Sequence, residues 1–358
     1  MKMPTAAIRE EIHKSGVISF ARFMALALYC PETGYYESQK DNVGRRGDFI
    51  TSVSTGSLFG ELLAFQFAEW LEGLRISDRG WGIIEAGAHD GKLAADILSW
   101  LQIHRPKLFT EIEYVILEPS ARRQTWQRAA LKIFAPRVRW LSQFNDSTIQ
   151  QFNGIIFSNE LLDAFPVHRH GWDAEKKEWF EWGVTVAGDG FGWAKIANPP
   201  FAIRNPQLEA VLPDGYIIET SPAAETWWRA AAGILASGKL LALDYGFTGD
   251  EMFSPARLRG TLRAYHRHHV TDDLLANPGE QDLTAHVNFS AIQNAGESGG
   301  LKTVDFCTQP RFLTRILQKA VAENSFAEWN ARRTRQFQTL THPEHLGRAF
   351  RVLVQARG

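Results

Sequence analysis

Apolar positions follow two patterns along this chain, and the alternation between them outlines a fold. Short unbroken apolar runs (GIIEAG from Gly82, YVILEP at 114–119, VRWL at 138–141, GIIFSN at 154–159 and GKLLALDYG at 238–246) are separated by stretches of helical periodicity such as LFGELLAFQFAEWL and KLAADILSWLQ. Unbroken runs of this length predict strands buried on both faces, and the stretches between them predict the helices that cover those faces. The expected fold class is therefore α/β with a doubly wound parallel sheet, whose ligands sit outside the carboxyl ends of the strands.

Around this frame the pattern changes. The first 30 residues predict helices: Ile8 and Ile12 share a face, and Ser19 caps a second helix carrying Phe20, Phe23, Met24 and Leu28. The segment PETGYYESQKDNVGRRGDFITSVSTGS is long and rich in turn residues, which predicts a lid or binding loop. Between 166 and 196 apolar residues recur with period two around turns at Asp173 and Gly188 to Gly190, predicting an antiparallel insertion. A helix capped by Ser221, with Pro222 at its first position, leads back to the main sheet. Residues 247–290 form a second, irregular excursion, and the chain closes with a strand at LKTVDFC, helices across 310–340 and a strand near FRVLVQA. The domain expectation is a segment 1–75 of helices and lid loop, then a domain 76–358 with insertions at about 166–214 and 247–290.

Composition narrows the function classes. A formal net charge of −1 over 358 residues gives no global attraction for nucleic acid or acidic membrane surfaces. Cys30 and Cys307 stand far apart, outside any CxxC pattern, so neither a disulfide framework nor a structural zinc site is expected. No apolar run approaches the roughly 20 residues of a spanning helix, and the first residues lack the features of a secretory or transit peptide. A soluble, cytoplasmic protein without membrane insertion is the expectation. The basic stretch RLRGTLRAYHRHHV at 257–270 is too small for a nucleic-acid surface, and its histidines lack the partners of a metal site. Tryptophans of the insertion, including Trp179, Trp182 and Trp193, share a face suited to a protein partner or a homodimer contact.

The candidate chemistry starts at GIIEAGAHDGKLAADIL, residues 82–98. Glu85 ends a strand, Gly87 and Gly91 permit a tight turn, and the following helix presents free N–H groups. A nicotinamide site would show GxGxxG, because its pyrophosphate must lie against bare backbone. Here the third glycine is missing and Asp90 would set a negative charge beside that pyrophosphate. The spacing E-x-G-x-x-x-G suits a cofactor without phosphates and with positive charge: S-adenosylmethionine, whose amino group and sulfonium would meet Glu85 and Asp90. Glu118, followed by Pro119, ends the second strand where a carboxylate can take ribose hydroxyls, a feature NAD sites share. Asn159 and Glu160 end the fourth strand and Asp163 follows, an arrangement suited to a cationic acceptor and also to capping a helix start.

These residues belong to a longer ordered series: GYY at 34–36, GDFIT at 47–51, FGE at 59–61, E-x-G at 85–87, NELLDAFPVH at 159–168, ETSP at 219–222, DYG at 244–246 and GTLRAYHRHHVTDDLLANPGEQDLTAHVNFS at 260–290. Through this series, which spans nearly the whole chain, the sequence resembles the adenosylmethionine-dependent methyltransferases that include the mitochondrial complex I assembly factor and its bacterial MidA-like relatives. The resemblance implies a seven-stranded class I methyltransferase sheet with an N-terminal helical and lid segment, S-adenosylmethionine as cofactor, and methylation of an arginine on a protein partner in a role like respiratory-complex assembly. It further implies a cofactor site of Tyr35, Gly47, Asp48, Phe49 and Thr51 with Glu85, Gly87, Asp90, Gly91, Glu118, Pro119 and Asn159. Glu160, Asp163 and Asn159 would then face the acceptor, while Asp282 and His286 line the pocket or support it. Two stretches depart from the family pattern: GAHDG stands for its GPGRG, and Val53 to Ser57 for its PEISQ-like segment. A non-catalytic binding factor on the same fold and a small-molecule methyltransferase stay open as alternatives.

Overall fold

The computed structural model describes residues 3–38, 51–74, 81–144, 151–196, 209–254, 257–266, 269–326 and 329–358. The chain divides into two compact units, each assembled from three segments. An insertion unit comprises Met1–Phe49, Asp163–Glu225 and Phe247–Ser290; a sheet unit comprises Ile50–Leu162, Thr226–Gly246 and Ala291–Gly358.

The sheet unit contains β1 (Trp81–Ala86), β2 (Ile112–Leu117), β3 (Val138–Leu141), β4 (Phe152–Asn159), β5 (Leu235–Phe247), β6 (Lys302–Thr308) and β7 (Phe350–Arg357). These lie side by side in the order β6-β7-β5-β4-β1-β2-β3. β1 to β5 run parallel, and β7 is antiparallel to both β5 and β6. The mostly parallel sheet expected from the unbroken apolar runs is thus present, with Ile83, Ile84, Val115, Ile116, Ile155, Ile156 and Leu241 all buried. Helix α1 (Leu58–Glu72) buries most of its surface and sets Phe67 against Phe157 of β4, ring centroids 5.0 Å apart. Helices α2 (Lys92–His104) and α3 (Ala121–Ala130) follow β1 and β2.

Backbone proximity at one end of this sheet forces a row of glycines. Gly82, Gly154 and Gly238 are paired across β1, β4 and β5, with φ of 134° at Gly154 and 129° at Gly238. A Cβ on Gly154 would lie 2.1 Å from Gly82 O, and one on Gly238 1.9 Å from Gly154 O. No other residue fits there. The opposite, carboxyl ends finish in register: Glu85 stands opposite Ile116 and Phe157, Ala86 opposite Leu117 and Ser158, and Asn159 opposite Leu243. Register therefore gathers the strand-end residues Glu85, Glu118, Asn159, Glu160 and Asp244.

In the insertion unit, Ile18–Ser19, His168–Asp173, Glu178–Ala187, Gly190–Ile196 and Ile217–Thr220 form a second sheet whose neighbouring strands run antiparallel. The period-two pattern at 166–196 is this sheet. Ser19 Oγ caps helix Phe20–Tyr29 by accepting from Arg22 N at 3.1 Å, which delivers Phe20, Phe23, Met24 and Leu28 to a core shared with Ile8, Ile12 and Val184. Residues 247–290, expected to be irregular, contain a small sheet of Arg263–His266, His269–Thr271 and Asp282–Thr284. Strands of three or four residues are too short to display a period, so their pairing leaves no mark in the sequence.

Candidate active site

The turn after β1 is built from left-handed backbone: φ is 75° at Gly87, 45° at His89 and 84° at Gly91. Gly91 N donates to Ala88 O at 2.7 Å, closing the turn, and Asp90 Oδ1 accepts from Lys92 N at 3.0 Å, satisfying one of the free donors that begin α2. Asp90 thus commits one oxygen to the helix start. Glu85 is 2% exposed, and Tyr114 Oη of β2 donates to its Oε2 at 2.6 Å. Burial pushes the Glu85 carboxyl up to about 8; the tyrosine bond opposes this, while Asp90 and Asp96 add to it.

Glu118 is also buried, but its carboxylate is surrounded by donors. Oε1 accepts from Ser120 N at 3.0 Å, Oε2 accepts from Gln127 Nε2 at 3.0 Å, and Arg123 Nη1 lies 3.9 Å away. Gln127, fully buried on α3, donates from the same nitrogen to His89 O at 3.1 Å and accepts from Trp140 Nε1 at 3.0 Å. One glutamine thereby ties the glycine turn to the second acid. Sequence reasoning missed it, because a lone Gln in a polar helix has no periodic signal. Pro119 is exposed.

At the end of β4 the geometry tightens. Glu160 holds φ of 50°, and its N donates to Leu243 O at 2.9 Å. Its Oε1 accepts from Ser52 N at 3.0 Å and Asn159 Nδ2 at 3.2 Å; its Oε2 accepts from Tyr245 Oη at 3.1 Å. Burial pushes this carboxyl up to about 7; the Ser52 amide resists, nearby Asp244 reinforces, and Asn159 and Tyr245 resist. Asp244, fully buried, accepts from Leu161 N at 3.1 Å, Leu162 N at 2.8 Å and Tyr245 N at 2.8 Å. Thr51 shapes the neighbouring turn, its N donating to Ser54 Oγ at 3.0 Å. Ser52, Asp244 and Tyr245 were not singled out as site residues, although Asp244 and Tyr245 lie in the DYG motif.

The insertion unit holds the other expected residues. Asp163 is 6% exposed, with its carbonyl accepting from Ala285 N at 3.0 Å. Tyr36 Oη donates to Asp282 Oδ1 at 2.8 Å, and the Tyr36 hydroxyl is pushed well above its ordinary range by burial, then by Asp282 and Asp163. Tyr35 is buried edge-on to Tyr36, ring centroids 5.2 Å apart. His286 stacks on Phe247 at 4.8 Å, its N donates to Thr261 Oγ1 at 3.1 Å, and burial pushes its imidazole down to about 4. Gly47, Asp48 and Phe49 lie outside the described residues.

The sheet-unit groups fit a ligand that donates hydrogen bonds or carries positive charge. Among the described residues Asn159 Oδ1 is buried without a partner, no cation lies beside Glu85, and Glu85 Oε2 accepts from Tyr114 Oη while the carboxyl keeps further acceptor capacity. An ammonium, a sulfonium and paired hydroxyls match such a set; a pyrophosphate does not.

Comparison with known proteins agrees. Residues 62–307 match the family described as "Putative S-adenosyl-L-methionine-dependent methyltransferase". The chain is 27% identical over 387 residues to the mitochondrial protein arginine methyltransferase NDUFAF7 homolog of Drosophila melanogaster, covering 98% of this chain and 84% of that protein. It is 30% identical to the mitochondrial protein arginine methyltransferase NDUFAF7 of Mus musculus, covering 80% of this chain and 68% of that protein. Among solved structures, a COG1565 superfamily member from Burkholderia thailandensis bound to S-adenosyl-homocysteine superposes with a TM-score of 0.85 at 33% identity, covering 99% of this chain and 92% of that one. Both curated relatives are mitochondrial, which overturns the cytoplasmic expectation. Two cysteines and the lack of a spanning run do not distinguish one aqueous compartment from another.

Proposed function

This chain belongs to the S-adenosyl-L-methionine-dependent methyltransferase family, and from that premise we propose that its methyl acceptor is an arginine side chain of a protein partner. The observation that carries the proposal is Glu160, a carboxylate at a strand end held through both oxygens by fixed donors while Oε2 retains acceptor capacity. The names of the curated relatives, protein arginine methyltransferases, support the same class of acceptor.

Bound S-adenosylmethionine supplies a methyl group carried on a positively charged sulfur. The residues proposed to hold it are Glu85 for the ammonium, Glu118 for the ribose hydroxyls, the Gly87 to Gly91 turn beneath, and Asn159 Oδ1 as a further acceptor. Burial keeps Glu85 largely protonated, so pairing with a cationic ligand is coupled to loss of its proton, and once ionised its low-dielectric surroundings strengthen the attraction.

Arginine sets the task for Glu160. A guanidinium stays protonated in water, so the enzyme must localise its charge on one side and aim the opposite nitrogen. Glu160 does this by charge-assisted pairing through Oε2. Methylation of a guanidinium that remains singly charged releases one proton. A carboxyl pushed up to about 7 can hold it, whereas an ordinary glutamate near 4.5 would hold it poorly.

The test is incubation with radiolabelled S-adenosylmethionine and proteins from cells lacking this chain, followed by acid hydrolysis and separation of methylated arginines. Label in methylarginine, lost in Glu160→Gln with cofactor binding intact, is the expected result. Label in a small molecule, or none in a cofactor-binding protein, would replace the arginine reading.

A further inference from the structure

Glu160 is reached by the backbone of the loop at Ser52. Ser52 N donates to Oε1 at 3.0 Å, and Tyr245 Oη donates to Oε2 at 3.1 Å. These donors come from positions 108 and 85 residues away in the chain and anchor different oxygens.

Each donor is itself fixed. Ser52 is fully buried; its Oγ donates to Gln309 Oε1 at 3.3 Å, and its carbonyl accepts from Thr55 Oγ1 at 2.9 Å. Gln309 is in turn held by donating to Leu340 O at 3.0 Å. The Tyr245 ring packs on Phe350 with centroids 4.1 Å apart, and Asp244 beside it binds the amides of Leu161 and Leu162 that follow Glu160. Glu160 keeps a left-handed backbone, a conformation that a residue with a side chain retains only where its surroundings over-determine it.

We propose that Ser52 and Tyr245 are positioning residues for Glu160, the Ser52 amide and the Tyr245 hydroxyl each fixing one carboxylate oxygen so that the acid presents a single orientation. The proposal rests on the reading of Glu160 as the residue that faces the acceptor. Ser52 stands immediately before Val53 to Ser57, where the sequence departs from its family, and it acts through an amide that every residue but proline carries. The departure in the loop therefore leaves the clamp intact.

Donors to a carboxylate favour its ionised form, so removing one must raise the Glu160 titration. The experiment follows the side-chain carboxyl resonances of the full chain labelled with 13C-glutamate, with Glu160→Gln identifying the signal. Ser52→Pro deletes the N–H at a residue whose φ of −54° a proline ring accepts. Ser52→Ala removes only the hydroxyl, and Tyr245→Phe removes the second donor. Expected are upward shifts of about half to one pH unit in Ser52→Pro and Tyr245→Phe, with Ser52→Ala leaving the titration in place. Unmoved midpoints in both, or Ser52→Ala moving as far as Ser52→Pro, overturn the clamp. Should Ser52→Pro fail to fold, Tyr245→Phe decides by the same criterion. Methylation retained in Glu160→Gln, with the titration shifts present, would remove the acceptor assignment and leave the clamp standing.

Discussion

Tyr114 Oη donates to Glu85 Oε2 at 2.6 Å across the β1–β2 pair, and both side chains are buried. The bond satisfies one oxygen of an acid that has no cation beside it among the described residues, and burial holds the carboxyl up at about 8. Below that value Glu85 is mostly protonated, so a cationic ligand must displace a proton to pair with it. Cofactor binding near pH 7 should therefore release protons, and affinity should rise between about pH 6 and 7.5 by at most about tenfold per unit. Calorimetry in buffers of different ionisation enthalpy reads the released proton directly, and Glu85→Gln should abolish it. No proton release in the wild type would remove Glu85 from the cation site.

The same acid has a stability signature of defined sign. Its folded value lies above the ordinary 4.5, so the folded chain keeps a proton that the unfolded chain has already lost. The contribution is full below about pH 4.5 and is lost as pH rises through 8, at up to about 1.4 kcal/mol per unit. Glu160, raised to about 7, acts in the same direction over a narrower window. Thermal unfolding across this range should show Glu85→Gln gaining on the wild type toward alkaline pH.

Glu118 offers a cleaner affinity test, because its donors hold the carboxylate in place before any ligand arrives. Glu118→Ala should weaken S-adenosylhomocysteine binding by roughly 1.5–3 kcal/mol, the worth of a charge-assisted hydrogen bond. Gln127→Leu should also weaken binding, since it frees both the acid and the carbonyl of His89 in the glycine turn. Unchanged affinity in folded Glu118→Ala would end the ribose assignment.

An Asp163 variant should separate binding from turnover. Asp163→Asn should leave cofactor affinity nearly intact and abolish methylation. Retained methylation, measured on the protein substrates that the labelling experiment identifies, would place the acceptor elsewhere.

Gly154 tests the frame itself. Gly154→Ala would drive a Cβ to 2.1 Å from Gly82 O at φ of 134°, which should cost more than about 3 kcal/mol or prevent folding. Gly188→Ala sits at φ of 55° with no atom within 4 Å of the added carbon, and should cost only about 1 kcal/mol. Comparable unfolding midpoints for the two variants would contradict the close strand approach.

Much of the fold is legible in the sequence. Unbroken runs such as GIIFSN announce strands buried on both faces, and the acids that follow them stand together at the carboxyl end of the sheet. Ser19 and Ser221 announced their helix starts, each accepting from an amide three residues on. Local rules suffice in these cases, because a strand's burial or a cap's hydrogen bond depends on neighbours within a few positions. The short strands of 263–284 and the bridging role of Gln127 were not legible, because their partners are set by packing rather than by spacing.

The amino-acid sequence by itself determined the kind of molecule: a parallel sheet, an acid-and-glycine turn without the marks of a pyrophosphate site, and an ordered motif series belonging to one methyltransferase family. Only the tertiary structure decided how the acids are tuned. Tyr114 meets Glu85 through the register of two strands, and Ser52 and Tyr245 meet Glu160 from segments 108 and 85 residues away. Burial and hydrogen bonding set the proton affinity of a carboxylate, and both are properties of what surrounds it in space, which a linear order of residues does not contain.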